Sequence, residues 1–136
     1  MNLNEYLEDV SGKGILATAD ATGKVDAAIF AKPHVIKDGQ LAFIMRDRLT
    51  HHNLQSNSYA TYIFIEDAPH YKGIRLFLKK VREETNPELI AKLKRRNLSP
   101  ELDKAKGPNF IVFFVLEKIL PLIGDEETGI QYITKG

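Results

Sequence analysis

The stretch that decides the fold is DGQLAFIMRDRLTHHNLQSN, residues 38–57. Asp38-Gly39 is a tight hairpin signal, because glycine readily takes the positive φ that such a turn needs. Residues 41–45 are apolar and strand-like, and the run stops abruptly at Arg46-Asp47-Arg48. Residues 49–57 then lose the β-branched vocabulary and read as a short polar helix. A hairpin feeding a strand that gives way to a helix concentrates much hydrogen-bonding capacity at one strand mouth.

Working outward, PHVIKDGQLAFIM (residues 33–45) supplies both arms of the Asp38-Gly39 hairpin. Upstream, GILATADATGKVDAAIFAK (14–32) gives two more strands around a turn made by Asp20, Thr22 and Gly23. The first segment, NLNEYLEDVS (2–11), has Leu3, Tyr6, Leu7 and Val10 at helical spacing, with Asn2 or Asn4 as cap, and is expected to close one end of a barrel or sheet. Downstream, YATYIFIE (59–66) and KGIRLFLKKVREE (72–84) read as strands. In the second, Ile74, Leu76, Leu78 and Val81 fall only approximately on one side, which predicts a bulge near Lys79-Lys80.

NPELIAKLKRRN (86–97) predicts a helix with Asn86 as cap, Pro87 at its first position, an acid in the first turn and bases in the last. LSPELDKAKGP (98–108) reads as a polar loop, and NFIVFFVLEKILPLIG (109–124) as a central strand. The tail DEETGIQYITKG (125–136) has no readable pattern. Six or seven strands joined mostly by hairpins, with three helices, predict a mainly β fold: a small antiparallel barrel with helices capping its open ends.

At 136 residues and 43% apolar content, residues 1–136 are expected to form a single domain with one core. Lys and Arg number 19 against 18 Asp and Glu, so no global field draws the chain to nucleic acid or an anionic membrane. With no cysteine, thiolate nucleophiles and disulfides are excluded, and redox chemistry requires a borrowed cofactor. No run approaches the ~20 apolar residues of a membrane span, and the acidic N-terminal segment lacks a secretory pattern, so a cytoplasmic location is expected.

Arg46, Arg48 and the segment from Thr50 to Asn53 describe an anion site: helix-start amides without internal partners, a hydroxyl, and guanidinium forks that match phosphate. The competing reading is that the arginines are solvated or paired with Asp47 and that Thr50 caps the helix. His51-His52 do not suggest a metal, since neighbouring helical residues point about 100° apart and no further ligand lies at suitable spacing. Glu83-Glu84 and Glu126-Glu127 read as solvated faces rather than general acids. Ser11, Ser56, Ser58 and Ser99 lack a nucleophile-elbow context, and no glycine-rich dinucleotide loop occurs. Phe30-Ala31, followed by Lys32-Pro33, stands where a strand must stop or bend; it reads as a plain strand end or as an edge with spare amides beside an aromatic, suited to a planar heterocycle.

The blocks KGILATADATGKVDAAIFAKP, DGQLAFIMRDRLTHHNLQSN, YATYIFIE and KGIRLFLKK together resemble the FMN-binding split-barrel family, which includes pyridoxamine 5'-phosphate oxidase and small bacterial FMN-binding proteins. The resemblance implies a split β-barrel of Greek-key type, paired with a second copy to form a homodimer with FMN in the groove between subunits. It implies that Arg46, Arg48, Thr50 and Asn53 hold the phosphate. Ala28, Ile29, Phe30, Ala31 and Lys32 would line the isoalloxazine through their backbone and the Phe30 ring. Many members carry a lysine where Thr50 or His51 stands here, and the true oxidases add a basic C-terminal segment that grips pyridoxal phosphate. The implied function is therefore a flavin-dependent oxidoreductase or electron carrier, with an unspecified redox partner or small-molecule substrate, rather than a vitamin B6 oxidase. The alternative is a non-catalytic module for another planar phosphate-bearing ligand, such as a deazaflavin, haem or a nucleotide. An oligonucleotide-binding barrel needs aromatic stacking platforms beside a basic groove, and the one basic cluster here is too small for it.

Overall fold

The computed structural model describes residues 1–94 and 107–130. The chain runs α1 (Leu3–Asp9), β1 (Gly12–Ala19), β2 (Val25–Ile29), β3 (His34–Val35), β4 (Leu41–Arg46), α2 (Leu49–Ser56), β5 (Tyr59–Glu66), β6 (Gly73–Glu84), α3 (Pro87–Leu93) and β7 (Asn109–Pro121). The predicted polar loop and the last residues of the predicted third helix fall largely outside the described residues. The seven strands form one antiparallel sheet in the order β2-β1-β5-β6-β7-β4-β3. Strands β5, β6 and β7 form a meander and β4 lies beside β7, which is the expected Greek key. β2 and β3 are the two edges, joined by residues 30–33, and the sheet is open between them.

Local chemistry accounts for the turns and caps. Gly23 (φ 90°) and Gly39 (φ 77°) turn the two hairpins in the left-handed region. Asn2 accepts from the Glu5 amide at 2.8 Å while its own amide donates to the Glu5 carboxylate at 2.9 Å, a reciprocal cap for α1. Asn86 accepts from the Glu88 and Leu89 amides and starts α3 as predicted.

Inward residues of β1, β4, β5, β6 and β7, among them Leu16, Phe43, Tyr62, Phe64, Leu76 and Phe114, fill the main core. Leu3, Tyr6 and Leu7 of α1 close one end of it. Helix α3 covers the opposite face of β4 and β7, packing Ile90 on Ala42, Ile111 and Phe113. β7 is therefore buried on both sides across residues 111–114, which explains its nearly continuous apolar run.

The predicted irregularity in β6 lies on either side of Lys79-Lys80. The register slips between Phe77 and Leu78, where Glu117 of β7 is skipped, and again between Lys80 and Arg82, where Val81 is skipped. Ile74, Leu76 and Leu78 face the core, but the second bulge turns Val81 out to 46% exposure, which corrects the expectation that it shares their side. Among the described residues no helix is long and apolar enough to cross a membrane.

Candidate functional site

The strand-to-helix junction forms where β4 ends and α2 begins. Arg48 is the cap residue of α2, with extended backbone and no side-chain capping bond. Thr50 thus lies inside the first turn rather than at the cap, which corrects the competing reading. The amides of Leu49, Thr50 and His51 precede the first helical bond, from the His52 amide to the Arg48 carbonyl, and have no partner among the described residues. Arg46 donates through Nη1 to the Gly107 carbonyl at 2.6 Å, and the Arg48 Nη1 lies 3.4 Å from the Asp47 carbonyl.

Thr50 and Asn53 face inward from α2. Both are buried; Thr50 Oγ1 lies 3.5 Å from Asp26 Oδ2 on β2, and Asn53 Nδ2 donates to Thr18 Oγ1 on β1 at 3.1 Å. Asn53 therefore serves as a tie between helix and sheet.

His51 is the part that sequence reasoning missed. Its ring is buried, stacked on Phe110 at 3.9 Å and 14°, and held at both nitrogens, 3.0 Å from Asp47 Oδ1 and 3.0 Å from Glu83 Oε2. Gln55 and Lys80 complete the cluster on the Glu83 carboxylate at 2.9 and 2.6 Å. Burial alone pushes the Glu83 pKa up, but the hydrogen bonds from Lys80, Gln55 and His51 and the Lys80 charge outweigh it and hold it at about 2. Glu83 is thus a structural anchor rather than a member of a solvated face. The cluster clamps the first turn of α2 to β6.

The other candidate residues lie on and just beyond β2. The Phe30 amide donates to the Gly14 carbonyl at 3.0 Å, and its carbonyl accepts from Tyr62 Oη at 3.1 Å. Both Phe30 backbone groups are thus engaged, and its ring packs edge-on against Phe43. Antiparallel pairing alternates, so a bonded Phe30 with Gly14 turns the backbone of Ala28 toward β1 and that of Ala27 and Ile29 to the open edge. Lys32 donates to the Val10 carbonyl at 2.6 Å just past α1, and Ala31 is exposed. The usable part of this segment is the edge at Ala27 and Ile29. Ile29 lies three positions along the strand from Asp26, which is beside Thr50, a span of ~10 Å.

The outer face of the same strands is apolar. Val25 and Ile29 are 84% and 74% exposed, in register with Ala19 and Ile15 on β1, and Tyr59 of β5 is exposed beside them. A hollow of about 280 Å³ opens over Ala17, Ala19, Thr61 and Phe77.

No protein-family model and no curated protein matches the sequence. Solved structures do. An FMN-binding protein from Syntrophomonas wolfei subsp. wolfei superposes with a TM-score of 0.70 at 20% identity, over 89% of this chain and 84% of that one. The split β-barrel is the fold of this chain. An F420 reductase shares that barrel at a TM-score of 0.61 and 20% identity, over 88% of this chain and 97% of its own. A candidate pyridoxamine 5'-phosphate oxidase from Lactobacillus delbrueckii shares it at 0.64 and 16% identity, over 88% and 92% of the two chains. In this split barrel the α2 start and the open edge of β2 are brought side by side by the packing of α2 on β1 and β2.

Proposed function

We propose that this split barrel is an FMN-binding flavoprotein acting as an oxidoreductase or electron carrier, with the flavin ring along β2 and its phosphate at the start of α2. The observation that carries this reading is the α2 terminus without a side-chain cap, flanked by Arg46 and Arg48 and adjoining an open strand edge. Helix-start amides and guanidinium groups suit a phosphate dianion. The Ala27 and Ile29 backbone groups suit the hydrogen-bonding rim of an isoalloxazine, and the exposed Val25 and Ile29 side chains suit its apolar surroundings. Asp26 and Asp47 lie close to the same junction and weaken its pull on an anion. FMN, when bound, supplies the one- or two-electron chemistry that this cysteine-free chain lacks. The protein's own part is to anchor, orient and shield the ring.

A second copy of the chain covers the apolar face in this reading. Val25 and Tyr59 border the hollow over Ala17, Ala19, Thr61 and Phe77, and Ile29 is exposed on the same strand, so one face carries both knobs and socket, as a two-fold interface requires. The test is purification of the full chain. A yellow chromophore released on denaturation and identified as FMN, in a particle of dimer mass, is expected. No saturable FMN binding by the refolded chain sinks the proposal.

The likeness to an F420 reductase favours one second reading, a module for a deazaflavin rather than FMN. Thermal shift with FMN, a deazaflavin, haem and a nucleotide separates these. A ligand selective for the folded state adds ~2.7 kcal/mol at a hundred times its Kd, and only the cognate ligand does so at low concentration.

A further inference from the structure

At the other end of the barrel from α2, a cavity of about 550 Å³ opens between α1, the β5-β6 hairpin and the segment after β7. Small-molecule sites commonly measure ~300–1,000 Å³. Its lining divides by chemistry: Ile74, Pro121, Leu122 and Ile130 are apolar, while Tyr6 and Glu66 bring a phenol and a carboxylate inside.

Glu66 is fixed on one side only. Its Oε2 accepts from the Tyr6 hydroxyl at 2.6 Å, and Tyr6 is in turn locked edge-on against Phe64 at 5.8 Å. Burial first, then the bond and charge of Glu66, push the Tyr6 pKa well above the usual phenol range, so the phenol stays a donor and the carboxylate the acceptor. The second carboxylate oxygen has no partner among the described residues. Lys72 and His70 line the mouth but are exposed, where solvent screens the Lys72 charge. The rim is also held in an uncommon backbone state. His70 (φ 71°) and Tyr71 (φ 54°) are consecutive left-handed residues without being glycine, a conformation that clusters at ligand sites.

We propose that this cavity is a second ligand site, for a small molecule with a flat apolar body and a cationic amine or amidinium head that Glu66 accepts. It goes beyond the flavin reading and shares none of the residues assigned to it. A charge-assisted bond to the open oxygen orients the head, and the Ile74, Leu122 and Ile130 side chains cover the body.

Benzamidine and benzoate, which share a ring and differ in the sign of the head, test it by amide NMR on the labelled full chain. Saturable benzamidine shifts at Gly73, Ile74 and Ile130 are expected, with none from benzoate. Glu66→Gln still accepts from Tyr6 but loses the charge, and weakens benzamidine by about tenfold or more. Ile130→Trp fills the cavity while leaving the Tyr6-Glu66 pair intact, and abolishes the shifts without altering flavin content. Benzoate saturating the same amides, no saturable benzamidine response, or wild-type affinity in either folded variant overturns the proposal.

Discussion

Replacing Gly14 with alanine probes the contact that fixes the end of β2. A methyl built there collides with Tyr62 Oη and Cζ and comes to 2.7 Å from the Phe30 carbonyl oxygen. Comfortable carbon contacts lie near ~3.5–4.0 Å, and Tyr62 is wholly buried, so the ring has nowhere to go without breaking its bond to Phe30. Overpacking costs ~1–3 kcal/mol and stranding the buried hydroxyl a further ~1–3, giving about 4 kcal/mol in all. That is a large part of a typical domain's ~5–15 kcal/mol. Urea unfolding at constant m-value reads it directly. Tyr62→Phe removes the atom that the methyl strikes first, so Gly14→Ala in that background should cost about 2 kcal/mol less than in the wild type. Additivity of the two changes within ~0.5 kcal/mol would show that the clash at Tyr62 is not what makes Gly14 necessary.

The remaining predictions concern the junction. Arg48→Ala should weaken FMN by about tenfold to a hundredfold and flatten the salt dependence of binding, measured by flavin fluorescence titration. Asp26→Asn removes a negative charge beside Thr50 and should tighten FMN by about threefold in the same titration; weaker binding would place the phosphate elsewhere. The Glu83 pKa is depressed on folding, so its contribution is present above the ordinary value of 4.5 and is lost as pH falls toward about 2. Denaturation across that window should therefore show the wild type losing stability relative to Glu83→Gln as the pH drops, and parallel curves refute the clamp.

Features written in adjacent residues were legible. Asp38-Gly39, Asn86-Pro87 and the turn around Gly23 each specify their local geometry through one or two side chains, and the structure has all three. The change from strand to helix around Arg46-Arg48 was legible for the same reason. What was not legible depends on partners far away in the chain. Glu83 looked solvated because its partner His51 is 32 residues distant and meets it only through the β4-β7-β6 pairing. The Tyr62 bond to the Phe30 carbonyl was not legible because Tyr62 is also 32 residues away and reaches it only where Gly14 lets the hydroxyl pass. Val81 continued a plausible alternation that two register slips interrupt. The bond of the Lys32 ammonium to the chain just after α1 spans 22 positions and was not legible for that reason.

The helix at the start of the chain has a consequence for how the protein is made. Leu3, Tyr6 and Leu7 pack into a core whose other members extend to Ile119, and Tyr6 bonds to a residue 60 positions later. Helix α1 leaves the ribosome before the strands that seat it, and must wait in water with its apolar stripe uncovered until the meander is complete. High sequence separation of this kind slows folding.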